Sequence, residues 1–235
     1  MTTVLLLRHG RTAANAAGLL AGWTEGVGLD DTGKEQVTAL GRRLRDVPLA
    51  GVVTSPLQRC RETTDAIVSG REVEVTVDEG VGECHYGGWT NRPLKELAKE
   101  DLWRTVQDHP SAATFPASEQ YRHESIAQMQ LRAVETMRHY DAHFEQQVGA
   151  HAVWALVSHG DVIKSILAEC LGEHIDQFQR ITVGPASLSA VRLTATRPFV
   201  LRINDTGSDP ADLVPKPDQA KDAEATVGGG STAQG

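Results

Sequence analysis

The sequence predicts an α/β fold of three layers, a mostly parallel central sheet flanked by helices, and three observations carry that prediction. Val4–Leu7 and Ala152–Val157 are continuous apolar runs, as strands buried on both faces require. Segments of helical period separate these runs from the other β-type stretches, the order that a parallel sheet with crossover helices produces. Each of the two apolar runs ends in a histidine followed by a glycine, His9-Gly10 and His159-Gly160, where a strand turns tightly into the next segment.

Taken in order, Val4–Leu7 is the first buried strand. Thr32-x-x-Glu35 has the pattern of a capping box, and Val37, Leu40 and Leu44 follow at helical spacing. Gly51–Thr54 reads as a short strand, after which Ser55-Pro56 opens a helix with proline in its first turn. Val73–Val77 alternates and reads as a strand. Ser125–Phe144 reads as a long helix burying Met129, Ala133, Met137 and Tyr140. Ala152–Val157 is the second buried strand and Asp161–Leu171 the helix after it; Ser187–Leu193 and Phe199–Ile203 are late strands, one of them at an edge. The stretch 93–124 holds Pro93, Pro110 and Pro116 with mixed polarity and reads as a mostly helical insertion that covers the active site. Residues 1–204 make the folded domain. From Asp205 to Gly235 the chain is rich in Pro, Asp, Ala and Gly without apolar period, and a disordered acidic tail is expected there.

Composition narrows the function. With 40% hydrophobic and 23% charged residues in 235, the chain is that of a globular protein. No run nears the roughly 18 apolar residues of a membrane span, and Arg8 comes too early for a secretory leader, so a cytoplasmic protein without membrane contact is expected. Cys60, Cys84 and Cys170 are odd in number and far apart, which suits a reducing compartment and disfavours a disulfide framework or zinc knuckle. The net charge of −8 disfavours nucleic acid as a partner. Six acids against two lysines from Asp205 onward hold half of that charge, so a basic pocket can still exist in the domain.

The chemistry gathers at strand ends. In open α/β sheets ligands bind at the carboxyl ends of strands, where His9 and His159 both arrive as candidate nucleophile and partner. Arg8 precedes the first histidine. Arg59 falls in the first turn of a helix, where backbone N–H groups already favour an anion, and guanidinium groups grip phosphate oxygens in pairs. Glu83 stands in the glycine-rich turn Val81–Trp89, where partial desolvation would raise its pKa and let it protonate a leaving alkoxide.

These residues, Arg8-His9-Gly10 with Thr12 and Asn15, Ser55-Pro56-Leu57-x-Arg59-x-x-Glu62-Thr63, Glu83-x-x-x-Gly87-x-Trp89 and Ser158-His159-Gly160, occur in an order that resembles the histidine phosphatase superfamily, the phosphoglycerate mutase-like proteins. The resemblance covers about residues 3–204. It implies that His9 is the nucleophile that becomes phosphorylated, that Arg8, Arg59, His159 and Asn15 hold phosphoryl oxygens, and that Glu83 is the proton donor. It implies a small phosphorylated substrate, no cofactor and no metal, and a homodimer as the family's habit. Glu124-Ser125 resembles the family's Gly-Glu-Ser element, with His123 in the place of the glycine. The separation of 76 positions from Glu83 to His159 is short beside the glycolytic mutases, and Glu83–Trp89 looks closer to the broad-range and α-ribazole phosphatases. A phosphatase is therefore expected.

Other readings stand beside this one. A phosphomutase would share the pocket, and a catalytically inactive phosphate-binding or interaction module would share the fold. The histidines could be structural, Arg59 a surface ion pair with Glu62 or Glu83, and Glu83 a solvated carboxylate. Substrate choice is expected to rest on 93–124 and on residues near Trp23 and Trp89. Gly28–Lys34 has the spacing of a P-loop but places Glu35 where a hydroxyl must bind magnesium. His139 and His143 share a helix face and read as solvated rather than as a metal pair.

Overall fold

The computed structural model describes residues 1–208. The chain runs β1 (Thr2–Arg8), α1 (Ala13–Ala16), β2 (Leu19–Leu20), α2 (Asp31–Leu44), β3 (Leu49–Thr54), α3 (Gln58–Val68), β4 (Val75–Val77), β5 (Arg92–Pro93), α4 (Leu94–Leu97), α5 (Asp101–Asp108), α6 (Ile126–Val148), β6 (Val153–Ser158), α7 (Gly160–Leu171), β7 (Leu188–Leu193) and β8 (Phe199–Asp205). Six strands form one sheet in the order β4-β3-β6-β1-β7-β8. The first four are parallel to their neighbours, while β7 and β8 join antiparallel, so the sheet is mostly parallel.

Alternation along the central strands divides the core in two. Leu5, Leu7, Val52, Ala155 and Val157 pack on Val37, Leu40, Leu44, Cys60 and Ile67 of α2 and α3. Val4, Leu6, Val53, Trp154 and Leu156 face the other way, onto α6, α7 and the apolar side chains of 93–124. Both faces of β1 and β6 are covered, which is why their sequences show no polar alternation. Helix α6 starts where expected: Ser125 and Gln128 form a reciprocal capping box.

Two local expectations differ from the fold. The cap of α2 is Asp30, whose carboxylate accepts from the Gly33 backbone at 2.7 Å. The hydroxyl of Thr32 instead accepts from Arg11, because a carboxylate at the helix start takes the orphan N–H groups first. Helix α3 begins after Leu57 without a side-chain cap, and Ser55 turns its hydroxyl toward His159, 2.8 Å from Nε2. Strand β8 runs to Asp205, which pairs with Arg43 at 2.7 Å. The tail expected beyond it lies outside the described residues from position 209 onward.

Segment 93–124 contains α4, α5 and a 3-10 turn at Pro110–Ala112, joined by irregular backbone. It is anchored by Leu97, Trp103, Val106, Ala113 and Phe115, all buried. Trp89 belongs to this anchor: it is fully buried, its ring meets Trp103 and Phe115, and its Nε1 donates to Glu100. Gly87 takes a left-handed φ of 51°, and a Cβ there would sit 2.0 Å from the Pro116 carbonyl, so a side chain has no room.

Candidate active site

Strands β1 and β6 run parallel with Arg8 opposite Ser158, so His9 and His159 leave the sheet side by side. Their ring centroids are 5.2 Å apart. The next parallel strand, β3, ends level with them, since Ser55 N–H donates to the Val157 carbonyl at 3.0 Å. Arg59 then stands in the first turn of α3. Three adjacent carboxyl ends thus deliver Arg8, His9, Ser55, Arg59 and His159 to one place, as the shared strand endings implied. Arg8, His9, Arg59, Glu83 and His159 are all buried.

The imidazole of His9 has a defined proton. Nδ1 lies 2.7 Å from the Gly10 carbonyl, which can only accept, so Nδ1 carries the hydrogen and Nε2 keeps its lone pair. Burial, then the nearby charges of Arg59 and Arg8, push the His9 pKa well below the ordinary histidine range. The ring is therefore neutral near pH 7, as a nucleophile must be. Burial, Arg59, His9 and Arg8 act on His159 in the same direction. Its Nδ1 lies 3.7 Å from Glu83 Oε2.

The arginines supply the positive field. Arg8 donates one Nη to the Val183 carbonyl at 2.7 Å, and Arg59 donates one to the Gly22 carbonyl at 2.9 Å. Arg8 Nε and Nη2 and Arg59 Nη1 are buried with no hydrogen-bond partner among the described residues. A buried unpaired donor is costly, more so on a charged group, and an anion accepting from these nitrogens would remove that cost. Burial lowers the Arg8 pKa to about 10, with Glu83 and Asp161 opposing, so the guanidinium stays charged at neutral pH. Arg59 makes no ion pair with Glu62, which is spent on the Leu29 N–H at 2.7 Å and on Gln58.

The Glu83 carboxyl is shifted toward its neutral form. Burial first, and then the charge of Asp161, push its pKa up to about 7, against Arg59 and Arg8, which favour the anion. The carboxyl is thus poised to give or take a proton near neutrality. Stability should reveal this. Below the ordinary value of 4.5 the group is protonated whether folded or unfolded; between 4.5 and about 7 only the unfolded chain ionises. The stability contributed by the neutral folded carboxyl is full below 4.5 and lost as pH rises through 7, an interval worth roughly 3 kcal/mol. Denaturant unfolding at pH 4.5 and pH 8 should therefore show Glu83→Gln gaining on the wild type by about that amount at the higher pH. A stability difference that is the same at both pH values would contradict it. His9 and His159, whose neutral forms are favoured, lose stability in the opposite direction as pH falls below 6.5.

Several side chains close in sequence to the cluster are held by partners of their own. Asn15 spends Oδ1 on the backbone and hydroxyl of Thr12, capping α1, so only its amide nitrogen is left to meet an anion. Arg11 is tied to Asp30 and Thr32 at the start of α2. His85 stacks on Trp23 with centroids 4.5 Å apart. Among the described residues no group of three His, Cys, Asp or Glu side chains could hold a metal ion, so His139 and His143 have no third ligand. Two surface hollows of about 400 and 550 Å³ lie elsewhere, lined by α6 with the β7–β8 turn and by α2 with the end of α3.

Further neighbours complete the surroundings of the cluster. Thr63 accepts the Gly10 N–H at 3.2 Å, and Trp23 Nε1 donates to the Glu83 carbonyl at 2.6 Å. Asp161 accepts from the buried hydroxyl of Tyr86 at 2.8 Å and lies 3.6 Å from Lys164. Arg132 reaches the Glu83 carbonyl at 3.0 Å from the middle of the sequence. Thr63 and Trp23 already stood in or beside the sequence motifs, and the place of Asp161 directly after His159-Gly160 was a readable signal; Arg132 had none.

Comparison with known proteins adds the family. The sequence profile of the histidine phosphatase superfamily (branch 1) matches residues 4–206. The chain is 28% identical over 193 residues to a protein of Erwinia tasmaniensis named "Probable phosphoglycerate mutase GpmB", covering 81% of this chain and 85% of that one. It is 26% identical over 212 residues to phosphoserine phosphatase 1 of Hydrogenobacter thermophilus, covering 88% and 93%. Among solved structures, YhfR of Bacillus stearothermophilus superposes with a TM-score of 0.76 at 25% identity, covering 87% of this chain and 98% of that one.

Proposed function

Because the chain belongs to the histidine phosphatase superfamily, whose members are phosphatases or phosphomutases, we propose that it is a phosphomonoester hydrolase that works through a phosphohistidine on His9. The observation that carries this reading is the pairing of a neutral, tautomer-fixed imidazole with buried guanidinium nitrogens that have no partner among the described residues. His9 Nε2 attacks phosphorus. Arg8 and Arg59 receive the charge on the equatorial oxygens, and His159 lines the same pocket. Glu83 gives its proton to the departing alkoxide, then as carboxylate takes one from the water that attacks the N–P bond. His9 regains its lone pair, and inorganic phosphate leaves. The substrate is a small phosphorylated metabolite, and the domain boundary near residue 204 follows the end of β8.

The test is release of inorganic phosphate from p-nitrophenyl phosphate and from a panel of metabolite monoesters in EDTA. Turnover that survives the chelator supports the reading. Transfer of phosphate between positions of a phosphoglycerate without net release would support the mutase named among the relatives instead. Binding of phosphate with neither outcome would mark a non-catalytic module.

A further inference from the structure

Glu83 sits where no strand can hold it. Strand β4 ends at Val77, and a 3-10 turn at Glu79–Val81 leads into extended backbone at Gly82. Carbonyls of such a loop must find donors if they are buried, and here one side chain supplies them. Arg132, in the second turn of α6, donates Nη1 to the carbonyls of Gly80 at 3.0 Å and Gly82 at 2.9 Å. Its Nη2 donates to the carbonyl of Glu83 at 3.0 Å. The far side of the same guanidinium is gripped by Glu124, with Nη2–Oε1 at 2.6 Å and Nε–Oε2 at 3.0 Å. Glu124 closes the frame from the other direction: its Oε1 accepts the His85 N–H at 2.9 Å, and its own N–H donates to the His85 carbonyl at 3.0 Å. Residues 80–85 are thus pinned on both sides of Glu83 by one ion pair. Burial would raise the Glu124 pKa, but its bonds with Arg132 hold it below the ordinary value, so the pair stays charged.

We propose that Arg132, oriented by Glu124, is the positioning residue for Glu83: it fixes where the acid stands over the leaving oxygen without touching substrate. The inference rests on the reading of Glu83 as proton donor. A planar fork suits this task because it serves three carbonyls and a carboxylate at once, which a lysine ammonium cannot. Misplacing an acid by an ångström costs rate most where the leaving group needs its proton most. A good leaving group such as p-nitrophenolate departs with little help, whereas an alkoxide does not.

Arg132→Lys should therefore lower kcat/KM for an alkyl phosphate such as glycerol 2-phosphate by about 10- to 30-fold, while kcat/KM for p-nitrophenyl phosphate stays within about 3-fold. Glu124→Gln keeps the size of the side chain and an acceptor for His85 while removing the ion pair, and should show the same split more mildly if the lysine variant folds poorly. An equal loss on both substrates, or no loss on either, would overturn the proposal and leave Arg132 a purely structural brace. A second readout needs no turnover. Titration of the Glu83 carboxyl followed by carbon NMR should give a pKa below the wild-type value in Arg132→Lys, as the loosened loop lets water reach it. The groups that act on that carboxyl are Asp161, Arg59, Arg8 and His159, with Cys60, Cys84, Tyr86 and Lys164 around them; the substitution changes none of these, and lysine keeps the positive charge of Arg132. Should the wild type turn over neither ester, the phosphatase reading fails, and the Glu83 titration alone decides the brace: a lowered value supports it, an unchanged one overturns it.

Discussion

Replacing His9 by alanine is expected to abolish phosphate release from p-nitrophenyl phosphate, a loss on the order of 10⁵-fold or to the limit of detection, because the proposed covalent intermediate forms on this imidazole. His159 cannot take its place: its Nε2 lies 2.8 Å from the Ser55 hydroxyl, and its Nδ1 faces Glu83. The fold should survive. The backbone of His9 is held by Ser158 and Ala186 through its own N–H and carbonyl, which alanine keeps. What alanine loses is the bond from Nδ1 to the Gly10 carbonyl, a local contact. Inorganic phosphate or vanadate should still bind the variant through Arg8 and Arg59, with affinity within about tenfold of the wild type. Residual turnover within tenfold of the wild type would mean that water, and not an imidazole, attacks phosphorus.

The second large effect belongs to Glu83. Glu83→Gln keeps size and hydrogen-bonding capacity but can neither donate nor accept the catalytic proton, and general acid–base catalysis contributes about 10²–10⁴-fold. For an alkyl phosphate kcat/KM should fall by about 10³-fold, since an alkoxide leaves poorly without a proton. For p-nitrophenyl phosphate the fall in kcat/KM should be about tenfold or less, while kcat falls further because water must still attack the phosphohistidine without a base. In the wild type kcat/KM for the alkyl ester should decline as pH rises above about 7, where Glu83 loses its proton, and the glutamine variant should lack that limb. Equal losses on the two esters would remove Glu83 from the role of acid.

The sequence made the cluster readable where the chemistry coincides with the strand pattern. Val4–Leu7 and Ala152–Val157 are buried on both faces, so their apolar runs were unambiguous and the histidines after them were fixed to adjacent strand ends. Arg59 followed from its place just inside α3. What was not legible depends on contacts between distant segments. Asp30 and not Thr32 caps α2, because both are good capping residues and only the packed chain chooses between them. Trp89 marked a region expected to influence substrate choice, yet its own ring is buried by Trp103 and Phe115 of segment 93–124. Arg132 is 49 residues from Glu83 and looks like any helix arginine until α6 is laid against the loop.

The central claim is that phosphate passes through His9. The most direct measurement mixes the wild-type protein with an excess of a turned-over phosphomonoester, quenches the reaction in alkali within milliseconds, and maps the added phosphoryl group by mass spectrometry under basic conditions, where phosphohistidine persists. A phosphoryl group on the peptide carrying His9, formed at least as fast as steady-state turnover and absent in His9→Ala, is the predicted result. Sustained turnover with no phosphoryl group on His9 at any time, under conditions where dephosphorylation is slowed by Glu83→Gln, would contradict it.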